Sequence, residues 1–260
     1  MYWEIAGAAG EPLVLVHGSW GNHHNWDAVA PPFSQSFRVL TYDRRGHSQS
    51  ERLPEPGSVA EDASDLAALI ESLEIAPAHV VGNSFGASIV LRAASEKPDL
   101  FRTLAVHEPP LFDLLATHAE SLDALRVLQQ RVAAVLERLQ AGDTPGGARQ
   151  FVETIALGPG AWDALPAEMR QTFIVNAPTW LDELQDPDWA RLDLASLRGF
   201  PHRALLTRGD QSPPFFPAVM EQLAAALPRA ERFVFRGDGH VPHLSHPEVY
   251  VEMITRFVTG

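Results

Sequence analysis

The stretch that most constrains the fold is residues 79–90, which read His-Val-Val-Gly-Asn-Ser-Phe-Gly-Ala-Ser-Ile-Val. Its first three residues are typical of a buried strand, and the residues after Gly86 have the spacing of a packed helix. Ser84 lies between them in a Gly-x-Ser-x-Gly motif. A sharp strand-to-helix turn leaves no space for side chains two positions before and after its centre, so glycine is needed there. The sequence therefore predicts a nucleophile elbow that holds the Ser84 hydroxyl exposed as a catalytic nucleophile.

A helix is predicted to start directly after this serine. The N–H groups of a first helical turn lack partners inside the helix, and the helix dipole is positive at that end. An oxyanion formed beside Ser84 would therefore be stabilised by the Phe85 N–H. The same motif also occurs as a purely structural turn. The flanking strand and helix, and the partner residues described below, favour the catalytic interpretation.

Six short apolar runs bounded by glycine, proline or aspartate predict buried parallel strands. Helical periods lie between several of them, which is the alternation of a mostly parallel sheet with helices on both faces. With 260 residues and no internal repeat, we expect one α/β domain that carries an insertion. The predicted strands are Leu13–Val16, Phe37–Tyr42, His79–Val81, Leu104–Val106, Ala204–Thr207 and Arg232–Phe235.

The segment after Glu108 differs from the rest of the chain. Almost a hundred residues pass before the next apolar run, and most of them have helical spacing. We interpret residues 111–200 as a helical cap. Residues 1–110 and 201–260 then form the core that contains the sheet.

Two capping boxes predict helix starts. Ser58–Glu61 opens a helix of the core, and Thr117–Glu120 opens a long helix of the cap that Gly142 would end. Two further cap helices are predicted over Pro166–Val175 and Pro178–Leu184.

Five large aromatic residues of the cap have two interpretations. They line a pocket above the sheet, or they form the cap's own core, which is the commoner role of such side chains. The five are Phe151, Trp162, Phe173, Trp180 and Trp189.

A serine nucleophile needs a base, and the base needs a carboxylate that fixes its tautomer. Among the 11 histidines, position favours His240 in Gly-Asp-Gly-His, between the last predicted strand and the last helix. In a sheet of this winding that loop lies at the carboxyl edge, where Ser84 also lies. We interpret His243 and His246 as loop-ordering or surface residues.

The chain resembles the α/β-hydrolase fold over essentially its whole length, because four motifs occur in that family's order and spacing. They are His17-Gly18-Ser19-Trp20-Gly21, Asp43-Arg44-Arg45-Gly46-His47-Ser48, the elbow at Ser84, and Gly239-His240. The resemblance implies an α/β-hydrolase fold with a helical cap inserted after the sixth strand. The chain departs from the family pattern at its start, where the leading hairpin is reduced to Met1–Ala6.

The resemblance also implies an oxyanion hole. The N–H of Ser19 would form it together with the N–H of Phe85, with Trp20 as the alternative to Ser19. His17 would brace this loop, and the Asp43–Gly46 segment would form a structural turn whose arginine pairs with backbone or carboxylate.

The acid of the triad has two candidates. In the family it usually stands three residues after a glycine that follows the seventh strand, and Gly209 places Ser212 there. Asp210 is the nearest carboxylate in that loop. Glu108 follows the sixth strand, an arrangement that resembles zearalenone-type lactone hydrolases and some dehalogenases. That strand ends at the same edge as the elbow, and the prolines after Glu108 fix the backbone, so we favour Glu108.

These residues predict a serine esterase or lactonase that works through an acyl-enzyme without a cofactor. The aromatic cap favours a small, partly apolar ester or lactone as substrate. The alternatives are a C–C bond hydrolase, a perhydrolase, or a ligand receptor with slow turnover, all on the same fold. A dehalogenase is excluded, because it would need an aspartate at Ser84.

Composition narrows the partners. Lys plus Arg number 20 and Asp plus Glu 33, a net charge of −13, which disfavours a nucleic-acid partner. The chain has no cysteine, which excludes disulfides and thiolate chemistry. His23 and His24 suggest a metal site, but no third ligand stands at a suitable spacing, so we expect none. Neither a leader nor a membrane span is evident, and we expect a soluble, cytoplasmic protein. The sequence does not determine the oligomeric state.

Overall fold

The computed structural model describes residues 1–260. Seven strands form one sheet in the order β1-β3-β2-β4-β5-β6-β7. All neighbouring strands are parallel except β1, which pairs antiparallel with β3. The strands are β1 Trp3–Ala6, β2 Glu11–Val16, β3 Phe37–Tyr42, β4 Ala78–Asn83, β5 Phe101–His107, β6 Arg203–Gly209 and β7 Ala230–Phe235.

Each of the six predicted apolar runs lies within one of the strands β2 to β7. One prediction of burial is wrong. The run Arg232–Phe235 belongs to β7, which is an edge strand with a single neighbour, so Arg232 is exposed and only Phe235 is buried. The leading hairpin of the family is reduced here, so the sheet has one strand fewer at its start. The strand that is the sixth in the family pattern is therefore β5 in this protein.

The helices are α1 Ala30–Phe33, α2 Val59–Ser72, α3 Phe85–Glu96, α4 Ala119–Gln140, α5 Thr144–Phe151, α6 Ala161–Ala164, α7 Ala167–Gln185, α8 Leu194–Leu197, α9 Phe216–Ala226, α10 Pro242–Ser245 and α11 Pro247–Thr259. A short π-helix, Val152–Ala156, follows α5. Helices α4 to α8 all lie between β5 and β6, where the helical cap is predicted. None of the helices combines the length and apolar character needed to cross a membrane.

The sheet is buried on both faces, which explains why its strands are continuous apolar runs. Along β2, Val14 and Val16 belong to a core cluster that includes residues of α2, α3 and α9. Leu13 and Leu15 point to the opposite face and belong to a second cluster that includes residues of α1 and α11. Alternate side chains of one strand therefore serve two cores.

The first capping box is confirmed and the second is wrong. Ser58 and Glu61 exchange both hydrogen bonds of the box at the start of α2. Helix α4 begins at Ala119, and its N-cap is His118, whose side chain makes no capping bond. The His118 N–H donates to Leu115 O at 2.9 Å, which keeps the preceding Thr117 in the turn before the helix.

Pro178 does not separate two helices as the sequence predicts, because α7 continues through it from Ala167 to Gln185. The polar residues on either side of the proline bond to loops of the core. Asn176 Nδ2 donates to Gly21 O at 2.7 Å, and Thr179 Oγ1 lies 2.9 Å from His47 Nε2. These tertiary bonds stabilise the helix at a position where proline removes a backbone bond.

Candidate active site

Ser84 lies in a strained turn between β4 and α3. Its φ is 55° and its ψ is −126°, which L residues rarely adopt. A Cβ atom added to Gly82 would lie 2.6 Å from the Gly86 carbonyl oxygen, and one added to Gly86 would lie 2.3 Å from Val16 O. Real Cβ atoms do not approach backbone oxygens so closely, so both positions require glycine.

The loop His17–Gly21, which is predicted to form the oxyanion hole, lies directly against Ser84. A Cβ atom added to Gly18 would be 3.0 Å from the Cβ of Ser84. The Gly18 carbonyl accepts a hydrogen bond of 2.8 Å from Nδ1 of His17, and the N–H of Arg44 donates to Nε2 of that same histidine. His17 therefore braces the loop. Burial, followed by the nearby charge of Arg44, holds the pKa of His17 well below its ordinary value, so its ring is neutral.

Among the N–H groups around the elbow, those of Ser19, Trp20 and Phe85 donate to no protein acceptor. Phe85 is the first residue of α3, where free N–H groups and the positive helix end coincide. Trp20 has a φ of 65°. Free donors beside the serine are the components of an oxyanion hole, and the geometry leaves both Ser19 and Trp20 as candidates for its second donor.

Glu108 and His240 are in direct contact. Glu108 Oε2 lies 2.7 Å from Nδ1 of His240, and Oε1 accepts a hydrogen bond of 2.8 Å from the Gly209 N–H. Glu108 has a φ of 47° at the end of β5. Two chemically reactive side chains at neighbouring strand ends, Ser84 and Glu108, thus share left-handed backbone geometry, which is characteristic of functional sites.

Glu108 is buried, yet it is ionised. Burial opposes the charge, but the hydrogen bond from His240 and the neighbouring imidazoles of His107 and His240 outweigh it and lower the pKa of Glu108 to about 2. The carboxylate accepts from Nδ1–H of His240, which leaves Nε2 free to accept a proton.

Asp210 does not contact His240. Its carboxylate accepts hydrogen bonds from the Gly237 N–H at 2.8 Å and from Gln211 Nε2 at 3.0 Å. It thus links the loop after β6 to the loop after β7. Ser212, which stands at the usual family position of the acid, has a buried hydroxyl without a hydrogen-bond partner.

The Ser84 hydroxyl is partly exposed and forms no hydrogen bond with another protein group. The elbow is nevertheless joined to the loop of His240, because Asn83 Nδ2 donates to His240 O at 2.9 Å. The Ser84 N–H also donates to His107 O at 2.9 Å. Catalytic hydrogen bonds are often long without substrate and shorten in the reacting complex.

Two residues beside His240 were missed by the sequence analysis. His107 Nδ1 lies 2.9 Å from Thr207 Oγ1, and its Nε2 lies 3.3 Å from Gly239 O and 3.6 Å from Glu108 Oε2. Two acceptors face Nε2, so the proton is on that nitrogen. Burial lowers the pKa of His107 to about 4 and keeps its ring neutral. Its position next to Glu108 in the sequence was the available signal.

The second missed residue, Phe216, stacks on the imidazole of His240 with 5.3 Å between ring centroids and 19° between planes. It is the first residue of α9, directly after Phe215. The double phenylalanine at the start of a helix was a weak signal, because aromatic pairs usually serve packing.

The remaining histidines of the last loop differ from one another. His246 Nδ1 lies 2.6 Å from Asp238 Oδ1 and orders the loop, as predicted. His243 is fully buried against Trp26, and neither of its ring nitrogens has a partner. It is neither a surface residue nor a hydrogen-bonding one, which corrects the prediction. Burial lowers its pKa to about 3.

Most of the cap aromatics pack rather than line a cavity. Phe151 stacks on Trp20 of the oxyanion loop with 4.5 Å between centroids, and Trp180 lies 5.3 Å from the same ring. Phe151, Trp162 and Trp180 are all buried in this cluster, with Phe173 against it. Trp189 lies apart, edge-on to Phe112. The apolar core of the cap therefore includes the residue next to Ser19.

One group of three side chains could hold a metal ion, namely His107, Glu108 and His240. It is not the group suggested by the sequence. His23 Nδ1 lies 2.6 Å from Asp43, and His24 Nδ1 lies 3.0 Å from Asp27, in separate pairs. In the buried group, Nδ1 of His240 is already bonded to Glu108, which is the arrangement of a base and its orienting carboxylate.

A mostly parallel sheet, a serine on a strained elbow and a histidine paired with a buried carboxylate define a hydrolase of the α/β class. The chain belongs to the alpha/beta hydrolase fold family, whose model matches residues 11–247.

Two relatives that match nearly the whole chain are hydrolases. The chain is 27% identical over 263 residues to zearalenone hydrolase of Bionectria ochroleuca, covering 97% of this chain and 91% of that protein. It is 28% identical over 265 residues to 2-hydroxymuconate semialdehyde hydrolase of Pseudomonas sp. strain CF600, and the match covers 96% of this chain and 87% of that protein. It spans only 28% of a longer relative, the dihydrolipoyllysine-residue acetyltransferase component of the acetoin cleaving system of Pseudomonas putida, with 34% identity over 105 residues.

Among solved structures, an alpha/beta hydrolase from Sphaerobacter thermophilus is similar to this chain with a TM-score of 0.75 and 26% identity. The match covers 96% of this chain and 95% of that one. The chain is thus a hydrolase by family and by relatives.

Proposed function

We propose that the protein is a serine hydrolase that cleaves a carboxylic ester or lactone through an acyl-enzyme. The observation that carries the proposal is the hydrogen bond of 2.7 Å between Glu108 and Nδ1 of His240, at the sheet edge where Ser84 lies. A base whose tautomer is fixed by a buried carboxylate is what a serine hydroxyl needs to react near neutral pH.

In this mechanism Nε2 of His240 takes the proton of Ser84 as its Oγ attacks the substrate carbonyl. The N–H groups of Phe85 and Ser19 donate to the developing oxyanion, and each such donor is typically worth about 100- to 1000-fold in rate. Glu108 stabilises the imidazolium that forms. His240 then protonates the leaving alcohol and activates water for deacylation. The scheme requires no cofactor.

The substrate is a small molecule with substantial apolar surface. Phe216 covers one face of His240, and the oxyanion loop is backed by the buried apolar cluster that Trp20 forms with Phe151 and Trp180. Apolar surroundings desolvate the reacting carbonyl and strengthen the hydrogen bonds made to it. The relative named zearalenone hydrolase adds support for this class.

The test is covalent labelling of the purified protein by a fluorophosphonate, together with turnover of p-nitrophenyl esters and a panel of lactones. The wild type is expected to label at one site and to hydrolyse at least one ester, and Ser84→Ala is expected to do neither. If the wild type neither labels nor turns over any ester or lactone, the proposal is wrong.

Hydrolysis of a C–C bond is the second candidate, because a relative of similar coverage is a 2-hydroxymuconate semialdehyde hydrolase. The same preparation is offered 2-hydroxymuconate semialdehyde beside the esters. A kcat/KM for this compound above that for every ester would favour the second candidate.

A further inference from the structure

One buried carboxylate of the cap, that of Glu183 in α7, contacts the oxyanion loop directly. Its Oε2 accepts a hydrogen bond from the Ser19 hydroxyl, and its Oε1 accepts one of 2.9 Å from Nη2 of Arg44. Glu183 is 6% exposed. Because both oxygens have donors, the carboxylate is held in one orientation.

Arg44 extends this contact to both halves of the proposed oxyanion hole. Its Nη1 donates to the Gly18 carbonyl at 3.3 Å, and its guanidinium carbon lies 4.7 Å above the ring of Phe85. Asp62 holds it from the other side, with Oδ2 at 2.7 Å from Nη2. The buried guanidinium is therefore fixed by two carboxylates, one from the core and one from the cap.

The position of the Gly18 carbonyl determines the direction of a catalytic donor. The peptide bond between Gly18 and Ser19 is trans, so its C=O and N–H point in opposite directions. His17 and Arg44 hold the carbonyl on one side. The Ser19 N–H consequently points to the other side and stays free of protein acceptors.

Helix α7 is joined to the same region by further bonds. Asn176 donates to Gly21 O at 2.7 Å, and the Ser48 N–H donates to Asn176 Oδ1 at 2.7 Å. Asn176 thus docks the helix on the core at a second point, about two turns before Glu183.

We propose that Glu183 is a positioning residue through which the cap helix α7 holds the oxyanion hole, by fixing Ser19 directly and the Gly18 carbonyl through Arg44. The inference rests on the proposed function. It assigns α7 a part in catalysis without contact to substrate, and it makes this helix a fixed part of the site rather than a lid.

The central variant is Glu183→Gln, which keeps the size of the side chain and removes its charge. An amide cannot accept from both Arg44 and Ser19 as the carboxylate does, so the loop loses one of its fixed contacts. We expect kcat for a p-nitrophenyl ester to fall about 10- to 100-fold, less than for complete loss of an oxyanion donor. KM is expected to stay within about threefold, because the contact orients a donor that acts mainly on the transition state.

Asp182→Asn is the matched control. Asp182 is the neighbour of Glu183 on α7, and its carboxylate lies 2.7 Å from Nη2 of Arg52 in another contact between cap and core. This pair does not touch the oxyanion loop. We expect its kcat to stay within about twofold of the wild type, since a partly exposed ion pair contributes little.

Affinity for a trifluoromethyl ketone is the readout that a general loss of stability would not move. The adduct of this inhibitor with a serine bears an oxyanion, so its inhibition constant should rise by about the same factor as kcat falls. Ser19→Ala is the second variant, and it keeps the backbone N–H. It should also lower kcat. In the double variant with Glu183→Gln, kcat should fall by less than the product of the two single effects.

The outcomes separate the two proposals. If the wild type labels and hydrolyses an ester but Glu183→Gln and Ser19→Ala both keep kcat and inhibitor affinity within twofold, only the role of Glu183 is wrong. The role of Glu183 is also wrong if Asp182→Asn lowers kcat as much as Glu183→Gln does. If Glu183→Gln does not fold, Ser19→Ala alone decides by the same criterion. A wild type that neither labels nor turns over ester overturns the proposed function, and this role with it.

Discussion

Glu108 Oε2 lies 2.7 Å from Nδ1 of His240, although 132 residues separate the two in the chain. The other oxygen of the carboxylate accepts from the N–H of Gly209, the last residue of β6. In the usual family arrangement the loop after this strand supplies the acid. Here the end of β6 instead holds the carboxylate of Glu108, which follows the neighbouring strand β5.

We expect Glu108→Gln to lower kcat by about 1,000- to 10,000-fold, because an amide orients the imidazole poorly and does not stabilise its charge. The kcat of Asp210→Asn should stay close to that of the wild type, since Asp210 contacts the loops after β6 and β7 and not His240. The measurement is kcat for the best ester found. A severe loss confined to the Asp210 variant would make Asp210 the acid.

The backbone of Ser84 predicts a gain in stability from glycine. Its φ of 55° and ψ of −126° are strained for a residue with a Cβ, at a cost of about 1–3 kcal/mol. Both Ser84→Gly and Ser84→Ala remove the hydroxyl, but only glycine relieves the strain. We expect Ser84→Gly to be about 1 kcal/mol more stable than Ser84→Ala in urea unfolding, after the entropy cost of glycine is included. Equal stabilities would refute stored strain at the elbow.

Stability should fall as the pH is lowered from neutrality. Burial lowers the pKa of His107 to about 4 and that of His243 to about 3, while both titrate near 6.5 in the unfolded chain. Below about pH 6.5 the unfolded state therefore binds protons that the folded state does not, and folding loses stability until the folded pKa values are passed. At pH 5 each of these two histidines lowers the free energy of unfolding by about 2 kcal/mol relative to neutral pH.

Protonation of Glu108 adds to the loss of folding stability at lower pH. Its pKa is lowered to about 2 in the folded protein, so its contribution is complete above about pH 4.5 and disappears as the pH falls towards 2. The measurement is Tm against pH. His243→Leu removes one of the buried titrating groups and should flatten the curve between pH 6.5 and 4, and an unchanged slope would contradict the assignment.

Close contact between Gly18 and the elbow predicts the effect of one added methyl group. A Cβ at Gly18 would lie 3.0 Å from the Cβ of Ser84 and 3.1 Å from Asn83 O. We expect Gly18→Ala to slow fluorophosphonate labelling at least about tenfold, because displacements below 1 Å are costly at a reacting centre. Gly199→Ala is the control, since its nearest neighbour would be 4.0 Å away. Equal labelling rates would contradict the close approach.

Much of the fold was predictable because its signals are local. Buried parallel strands are apolar on both faces, so each of them is visible as a short run. The elbow is visible because its glycines are required within two residues of Ser84. The capping box at Ser58 is equally local. Prediction was wrong at Thr117 and Pro178, where hydrogen bonds to a preceding turn or to distant loops determine the helix.

The sequence by itself determined the strand-elbow-helix around Ser84, the positions of six strands and two possible acids. Only the tertiary structure decided which acid faces His240, because strand order and backbone direction set the meeting of side chains that are distant in the chain. The hydrogen bond between Glu183 and Arg44 joins residues that are 139 positions apart, and no sequence pattern predicts it. Sequence patterns report local geometry and burial, whereas a contact between two elements depends on how both of them pack.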